Sequence, residues 1–252
     1  MQVGLIGAGN MARAIARGWG DPVLCSDAGS GRAAALAAEL GGRAAGNVDV
    51  AANSDIVFLC HKPYQLEAVA QEIRPHVKAV ASVLAGGIDL ATLGTAYPEV
   101  PVFRLMPNTP VEIGRGIVLY TPPPDVDAEL ESELLALLTR LGSVVSASET
   151  ELAVAASVTA VGPAYQALLV EAQIDAAVRH GLKPDLAARL VVETMTGTGA
   201  LLQARDYDTL AVRREVTSPG GSTARGLDAL ERAGVRNAFS LAMDRVTGEP
   251  AR

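Results

Sequence analysis

The 252-residue chain is poor in cysteine, histidine and aromatic side chains, and it carries no surplus of positive charge. Each scarcity closes a class of function. Two cysteines, Cys25 and Cys60, cannot build a disulfide framework, and each closes an apolar run predicted as a strand, where a reduced buried thiol is expected. Three histidines, His61, His76 and His180, are scattered, with no cluster at metal-ligand spacing, so no metal site is expected and His61 reads as structural. Lys and Arg number 21 against 28 Asp and Glu, a net charge of −7 with no basic run, which argues against nucleic acid as a partner. Hydrophobic residues make up 49% of the chain, yet no uninterrupted apolar run reaches the roughly 20 residues that span a bilayer. The opening Met1-Gln2-Val3-Gly4 lacks a basic segment ahead of an apolar one. No signal peptide and no membrane association are therefore expected, and the chain reads as cytoplasmic.

What is present begins at once. The apolar run Val3 to Ile6 leads into Gly7-Ala8-Gly9-Asn10-Met11-Ala12 and a helix-like segment. Strand, glycine turn and helix start in that order make a nucleotide-binding turn. Gly7 permits the reversal, Gly9 lets the backbone approach a pyrophosphate, and small Ala12 lets the helix pack close to the sheet. Free amides at the helix start, around Asn10 and Met11, are expected to hold the phosphates. Asp27 lies eighteen positions past Gly9 at the end of the second predicted strand. An acidic residue near that spacing meets the adenosine ribose in dinucleotide folds.

The alternation continues. Helix patterns over Arg32 to Leu40, Gln65 to Val77 and Leu90 to Tyr97 separate predicted strands at Ile56 to Cys60, Val80 to Leu84 and Val102 to Leu105, the first of them fully apolar. Such a series implies a doubly wound parallel sheet of the Rossmann type, whose strand C-terminal ends share one edge. His61-Lys62-Pro63, Ala85-Gly86-Gly87 and Met106-Pro107-Asn108-Thr109-Pro110 are thereby expected in the crevice of Gly7 and Gly9, where ligands bind. A strand at Ile117 to Tyr120, a helix over Asp127 to Leu141 and an edge strand at Val144-Val145 complete this part. From about Ser148 long alanine- and leucine-rich helical patterns take over. The expected division is a dinucleotide-binding domain over 1–147 and an all-α domain over 148–252. Its small apolar surface is extensive for a self-covering monomer, so a dimer through these helices is expected, with a self-contained bundle packed on the first domain as the alternative.

The most distinctive string lies in that second part: Val216-Thr217-Ser218-Pro219-Gly220-Gly221-Ser222-Thr223, then Ala224-Arg225-Gly226-Leu227. A Pro-Gly-Gly loop entering a helix at Ser-Thr leaves backbone amides unsatisfied beside hydroxyls, a combination suited to an anion. Together with Gly7 to Ala12, Lys62-Pro63, Arg104 with Met106 to Pro110, and Gly162-Pro163-Ala164-Tyr165, this string closely resembles the pyrroline-5-carboxylate reductase family over nearly the full length. The resemblance implies reduction of 1-pyrroline-5-carboxylate to L-proline by NAD(P)H, with a helical dimerisation domain and dimers often assembled into larger rings. Hydride transfer to a cyclic imine needs two rings held face to face and a hydrogen bond or proton at the imine nitrogen.

By the resemblance, Thr223 is the hydroxyl residue near that nitrogen, and the amides of Gly220, Gly221 and Ser222 hold the substrate carboxylate. Read alone, Ser222 and Thr223 are also what a helix N-cap requires. The resemblance sets Lys62 and Pro63 beside the cofactor and Asn47 near the adenosine, while Asn108 is assigned to the nicotinamide or substrate. Asp27 favours NADH, because a carboxylate there repels a 2′-phosphate; NADPH stays open through Ser26, Ser30 and Arg32. One departure bears on the substrate: where the family carries Ser-Gly-Ser, this chain has Thr159-Ala160-Val161. A paralogue reducing another cyclic imine, or a non-catalytic dinucleotide-sensing dimer, are the alternatives.

Overall fold

The computed structural model describes residues 1–248. Its chain divides into two compact units, Met1–Pro163 and Ala164–Arg252. The first is built on an eight-stranded sheet in the order β3-β2-β1-β4-β5-β6-β7-β8. The strands are β1 (Val3–Ile6), β2 (Leu24–Ser26), β3 (Arg43–Ala44), β4 (Ile56–Leu59), β5 (Val80–Ser82), β6 (Val102–Pro107), β7 (Gly116–Thr121) and β8 (Gly142–Ser146). The intervening helices are α1 (Asn10–Trp19), α2 (Arg32–Leu40), α3 (Asn47–Ala52), α4 (Leu66–Ile73), α5 (Leu90–Ala96) and α6 (Ala128–Thr139). Strands β1 to β6 are parallel, and the central ones are buried as such a sheet requires: all four residues of β4 are buried, the mark of a strand covered on both faces.

The sheet is not parallel throughout. β7 runs antiparallel to β6, with Arg104 opposite Thr121 and Pro107 opposite Val118. Eight residues separate the two strands, too short a link for a helical crossover, so the chain turns back on itself. β8 then pairs parallel to β7 after α6. Two elements escape the sequence pattern, β3 and α3. β3 has two residues, both exposed, and α3 has six, so neither presents a readable period.

Two buried apolar layers sandwich the sheet. Leu5, Phe58, Phe103 and Leu105 pack with α1, α2 and α6 on one face, and Ile6, Val57, Leu59 and Val80 with α3, α4 and α5 on the other. A third, smaller cluster sets Leu152 of α7 (Glu149–Thr159) against Leu119 of β7. Glu149 also accepts from Arg104 of β6 and from the Leu90 amide at the start of α5. The first helix after the sheet thus belongs to the first unit by its packing.

The second unit continues from α8 (Gly162–Arg179) through α9 (Pro184–Gln203), α10 (Thr209–Glu215), α11 (Ser222–Arg232) and α12 (Val235–Thr247). Among the described residues α8, α11 and α12 contain no buried residue and α9 only Ala187, while Leu168, Leu190 and Val192 are about half exposed or more. A helical unit with this surface lacks a core of its own. The stretch Glu149–Arg179 is also long and apolar enough, by length and composition, to cross a membrane, with a mean hydropathy of 1.5 in its best window. Its polar interruptions hide this from a count of unbroken apolar runs.

Candidate active site

At the carboxyl edge of β1, β2 and β4 lies a cleft of about 470 Å³. Gly7, Gly9, Asn10, Met11, Asp27, Asn47, Lys62 and Pro63 all line it, with Ser30, Arg32, His61 and Gln65 beside them. Gly7 has φ of +98°, and a Cβ there would stand 2.6 Å from the Cys60 carbonyl carbon and the His61 amide nitrogen. Only glycine allows β1 to turn so close to the end of β4. At Gly9 the nearest protein atom to such a Cβ is 3.9 Å away, so protein packing alone leaves room for a side chain. Ala12 is fully buried one turn into α1, where its small size brings the helix against the sheet. α1 has no side-chain cap and no acidic residue in its first turn, which leaves its amino end electropositive.

Asp27 is held by its own loop. Its carboxylate accepts from the Gly29 amide (2.9 Å), the Ser30 hydroxyl (2.8 Å) and the Ala33 amide at the start of α2 (2.9 Å). These bonds, that of Ala33 foremost, hold its pKa below the usual carboxylate range. Asn47 opens α3 and is similarly engaged, its oxygen accepting from Ser26 (2.6 Å) and its amide donating to Glu72 (2.7 Å). Gln65 has no sequence signal, yet its Oε1 accepts from the Lys62 amide at 3.0 Å and fixes the turn after β4. His61 also lines the cleft, with its Nε2 buried and its Nδ1 at 2.9 Å from the Lys62 carbonyl. Burial lowers its pKa, so the ring is neutral at pH 7.

Asn108 is absent from the residues lining this cleft. Its side chain is buried and bridges two elements: Oδ1 accepts from the Ile117 amide (2.8 Å) and Nδ2 donates to the Thr159 carbonyl (3.2 Å). It ties the turn between β6 and β7 to the end of α7, immediately before Ala160 and Val161.

In the second unit, Gly220, Gly221, Ser222 and Thr223 form the entry to α11. The N-cap is Gly221, and neither the Ser222 nor the Thr223 hydroxyl caps the helix. The first backbone bond of the helix runs from the Arg225 amide to the Gly221 carbonyl, which leaves the amides of Ser222, Thr223 and Ala224 pointing out of the helix end. Gly220 adopts φ of +69° to make the turn. The seat is amide-rich and carries no acidic residue in its first turn.

A glycine turn at a switch in strand order, with a helix start behind it, defines a Rossmann-type dinucleotide-binding protein. Comparison with known proteins resolves the class further. Residues 149–250 match the model "Pyrroline-5-carboxylate reductase dimerisation" and residues 2–86 match "NADP oxidoreductase coenzyme F420-dependent". The chain is 33% identical over 199 residues to pyrroline-5-carboxylate reductase of Corynebacterium melassecola, covering 77% of this chain and 74% of that one. It is 31% identical to pyrroline-5-carboxylate reductase 3 of Xenopus laevis, covering 98% and 94%. The crystal structure of the Streptococcus pyogenes 1-pyrroline-5-carboxylate reductase superposes with a TM-score of 0.88 at 29% identity, covering 98% of this chain and 97% of that one. The chain belongs to the pyrroline-5-carboxylate reductase family.

Proposed function

We propose that this protein reduces 1-pyrroline-5-carboxylate to L-proline with a nicotinamide dinucleotide, in proline biosynthesis. The observation that carries the reading is the pairing, in one chain of this family, of the glycine-turn cleft with an uncapped, amide-rich helix start at Gly221 to Ala224. In this reading the dinucleotide pyrophosphate lies over Gly9 and the first amides of α1. The open space at Gly9 supports this, because the glycine is then required by the ligand and not by the protein. Lys62 and Pro63 flank the nicotinamide half.

The substrate carboxylate is held at the Gly220-Gly221-Ser222 turn by the amides of Gly220 and Ser222, the Gly221 amide being taken by the Ser218 carbonyl. The hydroxyl of Thr223, free of any capping role, would donate its hydrogen bond to the imine nitrogen and pass it a proton as the imine carbon takes the hydride, with solvent water restoring the hydroxyl. Asn108 acts indirectly, by holding the end of α7 through Thr159.

The loop around Asp27 bears on the choice of dinucleotide. Three of the directions from which its carboxylate accepts hydrogen bonds are already occupied, which weakens it as a partner for a ribose 2′-hydroxyl. Arg32 lines the same cleft and offers charge to a 2′-phosphate. The reading therefore moves from NADH, which Asp27 alone favours, to NADPH. Initial rates with the two cofactors decide it, and a preference for NADH returns Asp27 to the ribose.

The exposed apolar helices of the second unit are assigned to a homodimer interface, with a ring of dimers as the larger assembly, and not to a membrane. The protein is assigned to the cytoplasm. A second reading, reduction of a different cyclic imine, is favoured by one observation, the apolar Val161 just after α7 where the family has a hydroxyl. A panel of cyclic imines at equal concentration separates the two by kcat/KM. Thr223→Ala is expected to lower kcat by about 10²-fold, the usual worth of a positioned proton donor; an unchanged rate removes Thr223 from the chemistry.

A further inference from the structure

Arg225 sits in the first turn of α11, three residues after Ser222. A cation at this place opposes the helix dipole, which favours negative charge at a helix start. The helix gains nothing locally from it: no acidic residue occupies that turn. Instead the guanidinium reaches back, and its Nη1 donates to the Gly220 carbonyl at 2.7 Å. The other end of the same peptide plane is also held, since the Gly221 amide donates to the Ser218 carbonyl at 3.1 Å. The peptide between Gly220 and Gly221 is thus pinned at both its oxygen and its nitrogen.

That peptide needs pinning. Gly220 is in the left-handed region, at φ of +69°, and nothing stands within 4 Å of where its Cβ would be, so no packing holds it. Two adjacent glycines have more accessible backbone conformations than any other pair. Rotation of this plane would turn the N-cap residue and swing the amides of Ser222, Thr223 and Ala224 away from a common focus.

We propose that Arg225 is a positioning residue for the substrate anion: it locks the Gly220–Gly221 peptide so that the amides at the start of α11 converge on the carboxylate, and its charge adds to their field. The inference rests on the assignment of this loop to the substrate carboxylate. It extends that assignment to a side chain outside the glycine motif. Placing a positive charge at a positive helix end is unfavourable in the free enzyme and becomes favourable once an anion is bound, so Arg225 biases the loop toward binding.

The test compares wild type, Arg225→Ala and Arg225→Lys in steady-state reduction of 1-pyrroline-5-carboxylate and of 1-pyrroline, which lacks the carboxylate. Amide hydrogen exchange of residues 218–224 is followed in the same proteins without substrate. Arg225→Ala is expected to raise KM for the carboxylate-bearing imine about tenfold, the scale of one charge-assisted hydrogen bond. KM for the dinucleotide should stay within a factor of about two on the same scale, and reduction of 1-pyrroline, which lacks the carboxylate, should fall markedly less than that of the carboxylate-bearing imine. Exchange at Ser222 to Ala224 should quicken in the alanine variant, and Arg225→Lys should recover part of both effects. An active wild type whose alanine variant keeps the same KM and exchange overturns the clamp alone. Slowed reduction of both imines alike shows general damage to α11 and overturns it too. A wild type that reduces 1-pyrroline but gains nothing from the carboxylate overturns the assignment of the loop, and the role of Arg225 with it.

Discussion

At the scale of single residues, the site combines groups that carry chemistry with groups that only hold others in place, and residue type alone does not separate them. Asp27 and Asn108 look like ligand contacts in the sequence because each stands at the carboxyl end of a strand. Within the protein, Asp27 bonds an adjacent loop and helix start while still lining the cleft, and Asn108 bonds Ile117 and Thr159. Asp27→Ala is accordingly expected to destabilise the first unit by about 1 kcal/mol, as loss of a cap does, measurable by urea denaturation. Because its folded pKa is depressed, the contribution of Asp27 is present above the unfolded value of about 3.9 and is lost as pH falls through and below it. The wild-type and alanine stabilities should therefore converge toward pH 3; a constant gap would contradict this. Arg32→Ala should raise KM for NADPH and leave that for NADH nearly unchanged, and equal effects on both would remove Arg32 from the 2′-phosphate.

Elements of secondary structure were legible where their period was long enough to read. The buried strand β4 announces itself as an unbroken apolar run and β1, β5 and β6 as apolar runs interrupted by Gly4, Ser82 and Arg104, and α2 is bounded in the sequence by a glycine on either side, at Gly31 and Gly41, as it is in the structure. The exposed β3 and the short α3 carry no such signal, and nothing in the sequence marks Asn47 as the start of a helix. The reversal of β7 was also hidden, because direction is set by the length of the link and not by the strand's own residues. The place of α7 depends on tertiary contact: its hydrophobic pattern resembles that of the helices after it, but Leu152 is fully buried against β7 and Glu149 meets Arg104. Leu152→Ala should cost about 2–5 kcal/mol, the range for a buried leucine truncated in a packed core. A loss below about 1 kcal/mol in a denaturant melt would mean that α7 is not anchored there.

On the scale of the whole molecule, apolar surface decides the assembly. The three buried clusters draw only on residues up to Ala156, while the helices from α8 onward keep large apolar side chains exposed in the single chain. Residues 149–250 match a dimerisation model, and the proposed interface would cover that surface. Leu168, 63% exposed, is a suitable probe. Leu168→Glu should shift the protein toward monomer in light scattering, since burying an unpaired carboxylate costs on the order of several kcal/mol; an unchanged mass would place the interface elsewhere. The central claim concerns the chemistry and not the assembly, and one measurement reaches it most directly: oxidation of NADPH by the purified enzyme on addition of 1-pyrroline-5-carboxylate, with proline quantified in the same tube. The account predicts one proline formed per NADPH consumed, with turnover falling about 10²-fold in Thr223→Ala. Tight dinucleotide binding without any proline formed would contradict it.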